Sequence, residues 1–587
     1  MNVGRQRKTK EDKGRKAGHA TLRTENGLQF FVALFQMWND NVRTDLELDI
    51  LSTRIPFQLT WGSEAFQDGL TDSKKLTIAS IKQRQLPLLG LRAEELTRKS
   101  ILADLKELAP HTAVIDDCLE QKDERITESI EQILWPSDSV VSLLNTNSFV
   151  LNAILFLKTI LAPGLSIVTP LLAILLPFIL AYLTPGANRD TSFLMDQVKQ
   201  VLRSQVMIPS SISGKASQSR FGSIVEMFFI GFALLVFVAG LWSQITAALH
   251  LRSIWFDVVD RGQVILNAIG TAKRTLERLQ GFKDKSKRAV RKLIEEGEAV
   301  LEACAPFANY DGGAAYGAVW NDPEPLLQVR DWLSLVDVLA TLSDQPDVCF
   351  PLTSKETVLT IRGVHHPAVP NCIRNDYDSK GSGKGSNSSG KGSNSKHTLL
   401  TGPNRGGKST FCKSIGLAIV TAQTWGFAYA ESMTWSPFAV VLTALEPCGK
   451  LGYCSTFEAE IEFAKSVLQT QGAPAFVMMD EIFHSTNAHD GVAASRVFLS
   501  QLYEKSDTIS IVSTHYAELT QIFESTVSSK QLIASQTKDG VLKYTYKVGP
   551  GVSSLSSVME ILEERGLRAK EPDRGNSATE KLPPSAE

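Results

Sequence analysis

Apolar residues change their spacing several times along this chain, and each change marks a different kind of structure. From about Leu28 to Leu144 they recur at three- and four-residue steps, as in Leu46-Glu-Leu-Asp-Ile-Leu51 and Leu91-Arg-Ala-Glu-Glu-Leu-Thr-Arg-Lys-Ser-Ile-Leu102. That period gathers them on one face of a helix, so residues 28–157 are predicted to be helical. Charge then disappears. Thirty residues between Lys158 and Arg189 carry no formal charge, and a second uncharged stretch runs from Met227 to Leu251. Each exceeds the roughly 20 apolar residues that span a bilayer. A buried core helix usually keeps a polar stripe, and Phe228 to Trp242 has none. Residues 158–252 are therefore read as a transmembrane hairpin with a connecting loop. Pro163, Pro170 and Pro177 predict kinks in its first segment.

Beyond the hairpin the helical period returns. Val264 to Cys304 is rich in Lys, Arg and Glu and reads as helix with a solvated face. Trp332-Leu-Ser-Leu-Val-Asp-Val-Leu-Ala-Thr-Leu342 has the pattern of a buried helix, and residues 253–350 form the second half of the helical region. The stretch 351–568 follows, with short apolar runs among turns, and is read as an α/β domain from the motifs and the resemblance set out below. It is interrupted at 379–396 by SKGSGKGSNSSGKGSNSK, which has no apolar side chain to offset ordering entropy and reads as a flexible insertion. The basic segment 1–27 and the tail 569–587 read as disordered. The first is too charged for a signal peptide.

Composition narrows the classes. The 587 residues carry a net charge of −2, which argues against a globally basic nucleic-acid binder. Seven scattered cysteines, never spaced Cys-x-x-Cys, favour free thiols over a disulfide framework or a zinc site.

The chemistry lies in the α/β domain. His397-Thr-Leu-Leu-Thr401 is a short apolar strand that leads into Gly402-Pro403-Asn404-Arg405-Gly406-Gly407-Lys408-Ser409-Thr410, with an apolar helical run after it. This is the strand–loop–helix context of a Walker A loop, in which glycines let backbone N–H groups wrap phosphates and the helix dipole adds to the attraction. Lys408 is expected to neutralise the β- and γ-phosphates of ATP, and Ser409 to ligate Mg²⁺. Ala475-Phe-Val-Met-Met479 is a buried strand ending in Asp480 and Glu481, the Walker B form. Asp480 is expected to hold Mg²⁺ and Glu481 to polarise the attacking water. Ile509-Ser-Ile-Val-Ser-Thr-His515 is a further apolar strand whose terminal histidine stands where a γ-phosphate sensor is expected.

These elements, with Ser455-Thr-Phe-Glu-Ala-Glu460 between the Walker segments, Asp490-Gly491 after the second, and Ser513-Thr-His-Tyr-Ala-Glu-Leu519, resemble the ATPase of the MutS family in order and spacing. The resemblance covers about Gly363 to Gly566 and extends weakly to Leu333–Leu342. It implies an ABC-type P-loop ATPase domain attached to a helical domain like the MutS core, here interrupted by the hairpin. It also implies a dimer, either of this chain or with a related MutS-like subunit. Ser455 would reach the γ-phosphate bound by the other subunit, Asn404 would touch the phosphates, and the loop His484 to Asp490 would lie at the interface. The family's adenine-stacking aromatic falls near Cys372, so that base stacking is either lost here or supplied by Tyr377.

There are departures. No Phe-x-Glu tripeptide, the family's mismatch-probing element, occurs in the chain. Phe483-His-Ser-Thr-Asn-Ala-His replaces the family's glycine- and arginine-containing loop. The apolar hairpin occupies the place where MutS proteins insert a DNA clamp between two lever helices. The expectation is a membrane-anchored ATPase, facing the cytosol or another ATP-containing compartment, that couples nucleotide state to lever motion. Two alternatives are a protein that binds mismatched or branched DNA, through Lys273, Arg274, Lys283, Lys285, Lys287, Arg288, Arg291 and Lys292, and a non-hydrolysing membrane scaffold.

Overall fold

The structure is a computed structural model that describes residues 41–71, 77–120, 124–184, 190–193, 197, 220–380, 396–445, 456–470, 474–537 and 542–566. The two expected tails, most of the low-complexity insertion, most of the hairpin's connecting loop and Ser455 lie outside these residues. The chain forms two compact units. One comprises Phe57–Ala65 with Gly90–Thr341, and the other Met1–Pro56, Phe66–Leu89 and Leu342–Glu587.

The first unit is helical. Its main helices are α1 (Glu95–Leu108), α2 (Ala162–Leu183), α3 (Arg220–Gln280), α4 (Arg291–Ala303) and α5 (Gly312–Asn321). At 1.5 Å per residue, the 61 residues of α3 extend about 90 Å. Its C-terminal half buries Leu251, Ile254, Trp255, Val258, Ile265, Ala268 and Ala272, spaced to form one face. Against that face α5 crosses at glycine contacts: a Cβ on Gly262 would lie 1.7 Å from the Gly312 carbonyl oxygen. Arg278 grips Asp104 of α1 with two nitrogens, at 2.7 and 3.0 Å. Trp332 donates to the Leu293 carbonyl at 3.0 Å and fills the space that Gly297 leaves beside it. Buried Asp337 accepts from the amides of Gln58 and Leu59, and burial lifts its carboxyl to about 6.

The apolar ends of this unit differ from its core. α2 packs against α3, yet α2 and the N-terminal half of α3 leave large side chains open, with Tyr182 79% and Trp242 70% exposed. Helical segments containing Ser148–Leu172 and Leu235–Gln280 are long and apolar enough to cross a membrane. The helix leading into α2 widens to a π-helical turn at Leu157–Leu161, just before Pro163. The proline ring clashes with the carbonyl four residues back, and a wider turn accommodates it without ending the helix.

The second unit is mixed α/β. Its strands are β1 (Leu352–Thr353), β2 (Leu359–Val364), β3 (Asn375–Asp378), β4 (His397–Thr401), β5 (Ser432–Trp435), β6 (Val440–Ala444), β7 (Ala475–Met479), β8 (Thr508–Ser513), β9 (Ser528–Gln536) and β10 (Leu542–Pro550). Its helices include α6 (Lys408–Thr424), α7 (Thr456–Gln469) and α8 (Ala488–Tyr503). The main sheet has the order β10-β9-β4-β8-β7-β6, parallel except for β10 at one edge. β4, β7 and β8 are buried at every position, as expected for strands covered on both faces. Leu400 stands opposite Ser513, and Met479 opposite Val512, so the C-terminal ends of these strands emerge side by side. A smaller sheet, β1-β5-β2-β3, completes the unit.

Distant residues also join it. Asp45 accepts from the Leu445 amide at 3.0 Å, Glu47 pairs with Lys413 of α6 at 2.6 Å, and Phe66 stacks on Trp425 at 5.7 Å.

Candidate functional site

The loop Gly402–Gly407 joins β4 to α6, and its shape depends on glycine in two places. Gly407 caps α6 at φ +96°, in the left-handed region. A Cβ on Gly406 would lie 2.9 Å from the Pro403 carbonyl oxygen. Lys408 is then drawn inward to 5% exposure, and its ammonium donates to the carbonyls of Gly402 at 3.2 Å and Pro403 at 3.5 Å. Burial lowers its affinity for a proton, while Glu481 and Asp480 oppose that shift.

A cavity of about 490 Å³ opens over this loop, lined among others by Val369, Ile373, Asn404, Lys408, Glu481 and Tyr546. Pro403, Arg405, Gly406 and Gly407 of the loop and Ser409 and Thr410 of α6 line it too, whereas Gly402 lies outside the lining. Tyr377 does not. It is wholly buried, its hydroxyl 3.4 Å from Thr398 and its face under the Lys530 ammonium, so it is unable to stack on a ligand. Two aromatics line the cavity: Phe411, itself buried on α6, and the more exposed Tyr546, at φ +55° where β10 slips register against β9 and beside Tyr544. Nothing local marked Tyr546 in the sequence, because the β9–β10 pairing and the Asn375 side-chain amide, which donates to its carbonyl at 3.0 Å, carry it back to the loop.

The ends of β7 and β8 supply the other groups. Ser409 and Ser513 donate to the two carboxylate oxygens of Asp480. Ser513 also accepts from the Glu481 amide at 3.0 Å, so one buried hydroxyl ties both acids together. His515 Nε2 lies 2.7 Å from Glu481 and 3.3 Å from the Lys408 ammonium. A lysine ammonium only donates and an imidazole nitrogen holds one role at a time, so the shorter contact assigns the proton to Nε2, facing Glu481. This hydrogen bond is the largest of the influences that lower the Glu481 carboxyl below its ordinary range.

Among the described residues no group of three or more His, Cys, Asp or Glu side chains is arranged to hold a metal ion. A hydroxyl and a single carboxylate, Ser409 and Asp480, fit Mg²⁺, which takes few protein ligands when phosphate oxygens and water complete its shell. The loop from His484 to Asp490 is largely exposed, and Asn487 caps α8 by accepting from the Asp490 amide at 2.9 Å. Gly491 is required by crowding: a Cβ there would lie 2.4 Å from the Tyr516 hydroxyl and 2.7 Å from the Phe483 carbonyl oxygen.

Residues 398–582 match the family model for MutS domain V. The chain is 27% identical over 246 residues to the DNA mismatch repair protein MutS of Shouchella clausii, a match covering 40% of this chain and 27% of that protein. It is 28% identical over 264 residues to the DNA mismatch repair protein MutS of Lactobacillus johnsonii, covering 42% of this chain and 29% of that one. The likeness thus spans less than a third of these relatives' own length.

The strand entering the loop carries a testable acid sensitivity. Burial lowers the His397 imidazole from 6.5 to about 4, with Nδ1 2.9 Å from the Ser510 hydroxyl. The unfolded chain takes up this proton near pH 6.5 and the folded one does not. Stability from this group is therefore whole above pH 6.5 and falls, by about 3 kcal/mol in total, as the pH drops toward 4. His397→Gln is expected to shrink the loss of thermal stability over that window. An unchanged pH slope would contradict a neutral, buried imidazole.

Proposed function

The C-terminal region of this chain belongs to the MutS family as its domain V, and from that premise we propose that it binds ATP with Mg²⁺ and hydrolyses it at sites completed between two subunits. The observation that carries this reading is the convergence of Lys408, Asp480, Glu481 and His515 at adjacent strand ends beside one cavity. Loop amides and the Lys408 ammonium would bind the phosphates, replacing the carbonyls that the lysine now contacts. Ser409 and Asp480 would hold Mg²⁺, which when bound neutralises charge on the phosphate oxygens. Glu481, held ionised, would accept a hydrogen bond from the attacking water and aim it, with His515 fixing the carboxylate and reaching the γ-phosphate. Asn404 would touch the phosphates, and Tyr546 would flank the adenine. Ser455 of the second subunit would complete the site, with the His484–Asp490 loop at the interface.

We infer further that α2 and the apolar half of α3 insert into a bilayer, placing both soluble parts on the ATP-containing side, and that lever motion acts on this hairpin. The exposed apolar surface supports this, since water is a poor solvent for so continuous a face. A second reading is DNA binding by the helical unit. All eight basic residues from Lys273 to Lys292 named above are exposed, although Arg291 and Lys292 are paired with Glu295 and Glu296 one turn on. Salt-dependent binding to mismatched or branched duplexes would favour it.

Two outcomes follow. Purified chain should release phosphate over many turnovers with Mg²⁺ and ATP, and Glu481→Gln should lower the rate at least about 100-fold while retaining nucleotide. Equal rates in both would remove Glu481 from the chemistry, and no turnover in the unaltered chain would favour the scaffold reading. A tagged chain should stay in the membrane pellet through alkaline carbonate and leave it with detergent. Recovery as a monodisperse, active protein in detergent-free extract would count against insertion.

A further inference from the structure

The acid that closes the Ser455–Glu460 motif has no part in the site described so far. Glu460 lies on α7, and its side chain is only 16% exposed. Its two oxygens meet the loop after Glu481: Ser485 donates to Oε2 at 2.8 Å, and His484 Nδ1 lies 3.2 Å from Oε1. The same Nδ1 is 2.8 Å from the Glu481 carbonyl oxygen. Both neighbours are acceptors, so Nδ1 carries the proton and is shared between them. One imidazole therefore ties the helix carboxylate to the backbone of Glu481.

That backbone needs holding. Glu481 at φ +51° and Phe483 at φ +53° both occupy the left-handed region that side chains other than glycine avoid. Such conformations persist where surrounding contacts over-determine them. The Phe483 ring is buried edge-on against Phe457 of α7 and Phe498 of α8, with centroids 5.9 and 6.2 Å away. Tyr516 donates to the Phe483 carbonyl at 3.1 Å. The Glu460 contacts are the polar counterpart on α7, beside a cavity of about 270 Å³ that Glu460 and His484 line together with Asp480 and Glu481.

We propose that Glu460 is a positioning residue: through His484 and Ser485 it fixes the loop that aims the Glu481 carboxylate, so that displacement of α7 displaces Glu481. The consequence for turnover rests on the hydrolysis reading above; the clamp itself does not.

In the full chain, Glu460→Ala should lower kcat about 10- to 100-fold, as small misplacements of catalytic groups do, with nucleotide affinity within twofold. Glu460→Gln, which keeps an acceptor oxygen, should recover part of the rate. Adding Ser485→Ala to Glu460→Ala should cost nothing more, since both remove one linkage. Hydrogen exchange read without nucleotide should show the amides of residues 483–487 exchanging at least about tenfold faster in Glu460→Ala, as for a loop released from its contacts. Unchanged exchange would overturn the clamp. Unchanged kcat, or nucleotide affinity and melting temperature falling together with kcat, would overturn the positioning role. If the unaltered chain shows no turnover, the hydrolysis reading fails and the exchange measurement alone decides the clamp.

Discussion

A single buried ammonium sets the terms for the sheet unit. Lys408 sits at the first position of α6 with two backbone carbonyls as its hydrogen-bond acceptors and the carboxylates of Asp480 and Glu481 nearby. Burying such a charge is costly unless it is compensated, and two carbonyls compensate it only in part. A polyanion held by the loop amides would complete what the carbonyls begin. The parallel strands, the glycines and the side-by-side strand ends all serve to place this charge where phosphates would meet it.

The second constraint is backbone geometry just past β7. Glu481 and Phe483 are held in unfavourable conformations by a buried ring, a tyrosine hydroxyl and an acid from a neighbouring helix. Glu481 is consequently placed by tertiary contacts, and Ser513 extends the same logic by linking it to Asp480. A carboxylate located in this way is sensitive to movements of α7 and α8, the helices that flank the exposed loop.

What the sequence made legible follows from which interactions are local. β7 was readable as a strand because burial on both faces leaves the uninterrupted apolar run Ala475-Phe-Val-Met-Met479, while β4 and β8 were readable from shorter apolar stretches that lead straight into the Gly402 loop and His515. The long apolar helices were equally plain, since absence of charge is itself the signal. Contacts made by pairing distant segments were hidden. Tyr546 reaches the cavity through the β9–β10 ladder, Tyr377 is buried against Thr398 and Lys530 of the main sheet, and Asp45 and Phe66 join the sheet unit from far upstream. The Phe483 loop was visible as a departure from its relatives, but not the aromatic packing that holds it.

The central claim is that each nucleotide site needs two chains. Its most direct test mixes two inactive variants, Lys408→Ala and Ser455→Ala, and measures phosphate release. In a symmetric dimer half of the re-assorted pairs hold one intact site, so about a quarter of the unaltered rate should return. No recovery under conditions where subunits exchange, or full activity in Ser455→Ala alone, would contradict a shared site.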